Sequence, residues 1–521
     1  MSTPNPSLAV WHGQTASQKC LQIDELCEMV VRELYDEGHG KGSVASLAST
    51  CRTFKLKALK VLWEHMESLK PLDSLLPGQI QRCDGKCLAE NGDITTCSFT
   101  EPASAILDRV KFYASLIKIL EWNNGDNVIA NTIRHCGFFS QGPLFQNLRS
   151  YSFHDNSRFA SSRLSVPRGS LFLNPQLNDL QLFSEYPESD PFCDLLQDLV
   201  DKEHKTLHTM QVIDESGMWS RLSSADGIAL ASVLSMQDLR DFICNMPLPS
   251  NGLNYLATMP HLANLKLTLD MKTTGEFCKN KGLYERFTTL TSLDVELFTL
   301  TEQSLAFFGS ISSPILETLK ISTLSRCSPV MFRKHLTLLS HSPYREYIST
   351  LDITLQDGYF VLPKDSDVIT SSELRPLVSF PNLRVVRFES AMMKLEEGFM
   401  HQLASAWPSL YSFRLQHAGE ICYFPVPIGG LVHFARHCPE LQIIAMRLDT
   451  DIPDLPEWKS SSKADFFCCD LVKGVPDEMV YRCVDFLSVL FPAHDPLVDD
   501  SQDSAGGTML KKRPSAKDEK D

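Results

Sequence analysis

The residues best placed to do chemistry in this chain form three sets, and each can be weighed against what its chemistry requires. Gly38-His39-Gly40-Lys41-Gly42-Ser43 has the glycines, lysine and hydroxyl of a phosphate-cradling loop. Such a loop needs Gly-x4-Gly-Lys-Ser/Thr after a strand; here the first glycine is missing and a helical pattern precedes it. Cys83, Cys87 and Cys97 offer thiols for zinc, but their C-x3-C-x9-C spacing leaves no fourth ligand at the usual distance. HExxH, Gly-x-Ser-x-Gly and paired CxxC motifs do not occur, and the histidines are scattered. The expectation is a chain with no catalytic residue, no metal and no cofactor. An enzyme hidden in it would need a deep pocket with clustered titratable groups.

The third set is a series of charged side chains at fixed places in a recurring Leu-x-x-Leu-x-Leu phrase. Its anchors stand at Ile117, Leu148, Leu177, Leu207, Leu239, Leu262, Leu290, Leu316, Ile348, Leu383, Leu410 and Leu441. Each is followed by two apolar residues two apart, as in Leu293 and Val295 after Leu290, the period of a strand buried on one face. Side chains alternate across a strand, so the residues between these point outward. They include Gln181, Gln211, Lys266, Asp294, Lys320, Asp352, Arg387 and Arg414, with His154, Glu296, Glu389, Gln416 and Arg447 one outward position further along. Lys266, Asp294, Glu296, Lys320, Asp352, Arg387, Glu389, Arg414 and Arg447 are the candidates for holding a polar or phosphorylated protein partner. The plainer reading is a solvated, cross-strand-paired sheet face.

The elements that must position these residues are legible in outline. The anchors recur with a mean period of about 29 residues, at the long end of leucine-rich repeats. Spacing varies from 23 (239 to 262) to 35 (348 to 383). Helical apolar spacing covers Ser224–Met236, Leu253–Met259, Thr301–Ser310, Pro329–His341, Leu395–Ala406 and Ile428–His437. Ala406-Trp407-Pro408-Ser409-Leu410 and its echo His437-Cys438-Pro439-Glu440-Leu441 stop a helix and start a strand. A strand–helix unit cannot bury its apolar face alone, so neighbours must stack. The spacing therefore predicts an α/β fold: an irregular leucine-rich-repeat solenoid over 102–492, with parallel strands on its concave face and helices on its convex face. Regular repeats carry Asn or Cys eight residues after the anchor; Asn156 obeys, whereas Glu185, Asp270, Phe298 and Ala418 stand at that place elsewhere. Ala464–Leu471 reads as a last strand and Pro476–Phe491 as a closing helix.

Residues 20–76 follow another pattern. Ile23, Leu26/Cys27, Val30 and Leu34 form the stripe of an amphipathic helix with acids in its first turn, ending at Gly38–Gly42. Helices from Ser43 to Phe54 and from Leu56 to Leu69 complete a small bundle. Residues 1–19 are expected to be flexible, 77–101 a linker or flap, and 493–521 a disordered tail whose Lys511-Lys512-Arg513-Pro514 has the composition of a nuclear import signal.

Leu21-x-Ile23-Asp24-Glu25-Leu26, then Leu47-Ala48-Ser49-Thr50-Cys51-Arg52-Thr53-Phe54, then Ala58-Leu59-x-x-Leu62-Trp63-Glu64 resemble the F-box, in the form common among fungal F-box/leucine-rich-repeat proteins. The resemblance implies a substrate-recognition subunit of an SCF-type cullin–RING ubiquitin ligase, docking a Skp-type adaptor through the head and a client protein through the solenoid. It assigns the adaptor surface to Leu21, Ile23, Leu26, Val30, Leu34, Leu47, Cys51, Phe54, Leu59 and Trp63. The chain departs from the family at Leu21-Gln22-Ile23, where Leu-Pro is usual, and in a longer Gly38–Gly42 loop. The alternative is a non-ligase scaffold whose head helices only cap the first repeat.

Bulk composition narrows the partners. Hydrophobic residues are 43% and charged residues 22%, an ordinary globular balance. A net charge of −15 argues against nucleic acid or anionic membrane as the main partner. Met1–Lys19 has no basic and apolar signal-peptide pattern, and no apolar run reaches the ~20 residues of a membrane span. The 16 cysteines are therefore expected to be thiols, and the protein cytoplasmic or nuclear.

Overall fold

Every leucine anchor named above leads, two residues later, into a parallel β-strand. The computed structural model describes residues 23–36, 40–50, 52–75, 103–123, 143–155, 172–184, 190–201, 205–215, 224–279, 286–356, 367–390, 392–416, 424–453, 466–471, 476–492, 496–499 and 509–512. The chain falls into two compact units, Met1–Ser220 and Arg221–Asp521. Both are α/β, with parallel strands and helices stacked repeat on repeat.

The first unit opens with α1 (Asp24–Asp36), α2 (Gly40–Thr50) and α3 (Arg52–Glu64). It continues through β1 (His65–Met66), α4 (Lys70–Asp73), α5 (Ala103–Ala114), β2 (Ile119–Asn123), β3 (Ser150–Asp155), β4 (Asp179–Ser184), α6 (Asp190–Asp201) and β5 (Thr209–Asp214). Its strands lie side by side in chain order, with β1 parallel to β2. Two expectations are corrected here. Gly40–Gly42 belongs to α2 rather than to a loop. The third helix stops at Glu64, because His65 and Met66 pair with Ile119 and Leu120 as an edge strand. Between the strands, Phe172 stacks on Phe145, Tyr151 and Trp122, filling the core with flat rings.

The second unit contains α7 (Ser224–Met236), β6 (Asp241–Cys244), α8 (Ser250–Thr258), β7 (Asn264–Leu269), α9 (Met271–Lys279), β8 (Ser292–Leu297), α10 (Glu302–Gly309), β9 (Thr318–Thr323), α11 (Pro329–Ser340) and β10 (Thr350–Leu355). Then come β11 (Ile369–Thr370), α12 (Ser371–Leu374), β12 (Val385–Glu389), β13 (Met393–Lys394), α13 (Glu397–Ala406), β14 (Ser412–Gln416), α14 (Leu431–His437), β15 (Ile443–Leu448), β16 (Phe466–Leu471) and α15 (Asp477–Leu490). Strands β6 to β10, β12, β14, β15 and β16 pair in parallel in that order, while β11 and β13 form a separate two-stranded ladder. Neighbouring helices pack in the same sequence, forming a second layer. Alternate residues of each strand, such as Leu293, Val295 and Leu297, are buried, as the period of two requires.

Two devices join successive repeats. The carbonyl just after one anchor accepts from the backbone N–H groups just after the next, as in Ser349 and Thr350 to Glu317, and Arg384 and Val385 to Ser349. Side chains add a second stitch to the anchor's own carbonyl. Asn174 donates to Leu148 (2.8 Å), Thr206 to Leu177 (2.8 Å), Thr289 to Leu262 (2.9 Å) and Ser313 to Leu290 (2.6 Å). These donors sit before the strand, whereas the Asn of a regular leucine-rich repeat sits after it. Eight residues after the anchor, Asp270 instead accepts from the backbone N–H of Thr273 at 2.8 Å in the first turn of α9. Among the helices, α13 and the turn at Ile428–Gly430 approach closely at Gly430, where a Cβ would overlap the buried Met400.

The stretch read as a disordered tail contains β17 (Pro496–Asp499) and β18 (Met509–Lys512). Strand β18 pairs antiparallel with both β16 and β17. A parallel sheet ends in a row of unpaired backbone groups, and an antiparallel strand covers that edge. Residues 1–19 and 77–101 lie outside the described residues.

Candidate functional site

Two surfaces carry the residues singled out by sequence. The first is the helical head. Its core is Cys27, Val31, Val44, Phe54, Ala58 and Val61, with Leu34, Tyr35, Leu47, Ala48 and Leu62 packed around it. Lys57 of α3 reaches Asp24 of α1 at 2.5 Å, and Arg32 bonds Glu28 at 3.0 Å and Glu64 at 2.8 Å, which fixes α1 on α3. Glu64 also takes Lys118 at 2.9 Å, and Trp63 lies 4.6 Å from Tyr113, so the head is tied to the first repeat. Burial alone would raise the Glu64 carboxyl; Lys118 and Arg32 overcome it and hold it below the usual range.

The apolar arc of α1 is wider than the head core can cover. Cys27 and Val31 face inward. Ile23 is 45% exposed, Leu26 39%, Met29 64% and Val30 51%. Leu56 on α3 adds a fifth exposed apolar side chain. Of the adaptor residues predicted, Ile23, Leu26 and Val30 thus share an open face. Leu34, Leu47 and Leu59 are half-buried, Phe54 is inside the head core, and Trp63 packs on Tyr113. Leu21 and Cys51 lie outside the described residues. Sequence reasoning missed Met29 and Leu56, although the spacing of Met29 from Leu26 (i, i+3) carried the signal.

The second surface is the strand-lined face of the second unit. Strand register sets Lys266, Asp294, Lys320, Asp352, Arg387 and Arg414 in one unbroken row across β7, β8, β9, β10, β12 and β14. The next row holds Glu296, Glu389 and Gln416, with Arg447 on β15 continuing it. Lys266 pairs with Asp294 at 3.3 Å, and Arg387 with Glu389 at 3.2 Å. Thr268 donates to Glu296 at 3.0 Å. Burial raises the Asp352 carboxyl, against the pull of Arg387 and Lys320 on either side and with the help of Asp294 and Glu389. At the β12–β15 end the charges stop alternating, and Arg387 and Arg414 stand in register.

The scattered histidines are partly brought together. On the helix layer, the His401 ring lies 4.6 Å from that of His433 and 5.6 Å from that of His437. Burial first, then His401, His437 and Arg436, push His433 down. The i, i+4 spacing of His433 and His437 was the only trace of this in the sequence. Among the described residues, no group of three or more His, Cys, Asp or Glu is arranged to hold a metal ion, and no helix is long and apolar enough to cross a membrane. Cys244, Cys278, Cys438 and Cys483 are free thiols. Burial pushes Cys244 and Cys438 up to about 12, which makes them inert packing groups.

Comparison with known proteins finds no family model and no curated protein that matches this chain.

Proposed function

We propose that the protein is a substrate receptor of an SCF-type ubiquitin ligase: the head docks a Skp-type adaptor, and the strand-lined face holds a client protein. The chain itself does no chemistry in this reading. It accelerates ubiquitin transfer by holding the client near subunits that carry the reaction. One observation carries the proposal. Ile23, Leu26, Met29 and Val30 form an exposed apolar arc along α1, whose opposite side packs in the head core, and Leu56 on α3 is exposed as well. A helix needs one apolar stripe to fold onto its neighbours, and a second, solvent-facing one marks an interaction surface. The F-box resemblance supplies the identity of the partner.

A second reading is favoured by the links from Glu64 to Lys118 and Trp63 to Tyr113: a scaffold whose head only closes off the first repeat. Purified full-length protein mixed with a Skp-type adaptor separates the two. Stable co-elution that is lost on combining Leu26→Asp with Val30→Asp supports the receptor reading. Absence of any complex with the wild-type chain overturns it in favour of the scaffold.

A further inference from the structure

We propose that Asn251-Gly252, in the first turn of α8, is a self-modifying site: the Gly252 nitrogen displaces the Asn251 side-chain amine, and the asparagine becomes aspartate and isoaspartate. The inference is independent of the receptor reading.

The reaction needs a carboxamide beside a backbone nitrogen that is close, unhindered and free of the helical ladder. Asn-Gly occurs three times in the chain, at Asn91-Gly92, Asn124-Gly125 and Asn251-Gly252, and the first two lie outside the described residues. At the third, the Gly252 N–H donates to Oδ1 of Asn251 at 3.0 Å, so the nitrogen already lies beside the carbonyl group it must attack. The first bond of the α8 ladder runs from the Leu253 N–H to the Pro249 carbonyl. The N–H groups before it have no acceptor within the helix. Glycine puts no Cβ in the path of attack and leaves its own backbone free to adjust. Ring closure turns the Asn251 backbone out of helical geometry, which the fraying of a first turn allows. Asn251 is exposed, so water reaches the ring that forms.

Atoms balance with solvent as the only co-reactant, and nothing is oxidised or reduced. The Gly252 nitrogen bonds to Cγ of Asn251, the Cγ–Nδ2 bond breaks, and the displaced proton leaves with the amine as ammonia. Water then opens the resulting succinimide. Cleavage at Cγ gives aspartate; cleavage at the main-chain carbonyl gives isoaspartate, whose backbone runs through the former side chain. The two products differ in what they do to the fold. Aspartate adds a negative charge in the first turn of α8, where the helix dipole favours it. Isoaspartate lengthens the backbone by one carbon just before the buried Gly252. A Cβ on Gly252 would stand 3.6 Å from Leu234 of α7 and 3.7 Å from the Pro249 ring, so this backbone sits at the α7–α8 contact. Its displacement is felt there.

The test incubates folded full-length protein at mildly alkaline pH, beside a sample denatured in guanidinium, and maps the peptides of both by mass spectrometry. Isoaspartate is counted separately with an isoaspartyl methyltransferase. The expected result is progressive conversion at residue 251 of the folded protein, faster as pH rises, with isoaspartate in excess of aspartate. Gly252→Ala should slow conversion about tenfold or more, because a Cβ obstructs the attack and narrows the backbone. Its methyl would make only ordinary contacts with Leu234 and Pro249, so the variant folds. Asn251→Gln, whose carboxamide is one carbon further out, should show no conversion. Asn251→Asp should melt at or slightly above the wild-type temperature, while the isoaspartate form, separated by chromatography, should melt below it. No conversion at residue 251 in the folded protein while the denatured chain converts, or equal rates in wild type and Gly252→Ala, overturns the site. An isoaspartate form that melts with wild type overturns the assigned effect on the α7–α8 contact.

Discussion

Glu64 and Lys118 hold the last residue of α3 against the entrance to β2, with Nζ 2.9 Å from the carboxylate. Lys118 also donates its backbone N–H to the Glu64 carbonyl at 2.9 Å. One residue thus serves as helix end, ion-pair partner and first rung of the repeat ladder. The folded-state Glu64 carboxyl is held below its ordinary value, so the stability it contributes is present above about 4.5 and is lost as pH falls through the lower, folded value. Glu64→Gln should cost about 1 kcal/mol at neutral pH, the range for a partly exposed pair. Its deficit relative to wild type should close on acidification below that point, as read from urea midpoints across pH.

On the head, two neighbouring positions should behave oppositely. Val30 is half exposed and Val31 is fully buried. Val30→Asp should change stability by less than about 0.5 kcal/mol, whereas Val31→Asp places a charge in the head core and should cost 3 kcal/mol or more, by order of magnitude. Thermal melts of the two variants check this. Adaptor affinity should follow the other pattern, with the exposed pair Leu26→Asp/Val30→Asp losing about 100-fold while the fold persists.

In the repeats, Asn174 is 1% exposed and makes bonds to Phe145, Leu148 and Gln176. Asn174→Ala removes three hydrogen bonds, leaving the Phe145 carbonyl with the Leu148 N–H at 3.3 Å but the Leu148 carbonyl without its side-chain donor, and should cost roughly 2–3 kcal/mol. Asn174→Asp should be no better, since a carboxylate cannot donate to the two carbonyls. Denaturant midpoints with an unchanged m-value would show the loss is local.

Gly430→Ala puts a methyl into the buried side chain of Met400, which must shift to make room. A cost of about 1–3 kcal/mol follows. Gly398→Ala meets nothing within 4 Å and, being inside α13, should be neutral or slightly stabilising. The pair of melting curves tests close approach against helix propensity.

The His401, His433 and His437 group predicts an acid-sensitive helix layer. His433 and His437 are both pushed below the ordinary imidazole value. A lowered folded value means the unfolded chain binds more protons, so stability is full above about 6.5 and declines as pH falls through the window beneath it. His401→Gln removes one like-charged neighbour and should flatten that decline, measured as the slope of the thermal midpoint between pH 7 and 5.

Much of this protein was written in local pattern. Anchor leucines followed by apolar residues two apart determined the strands, because a period of two buries one face of a sheet whatever its neighbours are. The closing helix near Pro476 was likewise set by its own spacing. Other features depended on which strand lies beside which. The end of α3 was decided by β2, since His65 and Met66 become a strand only where Ile119 and Leu120 offer backbone partners. Which apolar side of α1 stays open was decided by α2 and α3, for both sides are apolar in sequence. The charged row was visible as residue types, but register alone alternates Lys266, Asp294, Lys320 and Asp352 and leaves Arg414 with arginine for a neighbour. Pairing across strands is a property of distance in space, and a linear sequence states types and spacings without fixing those distances.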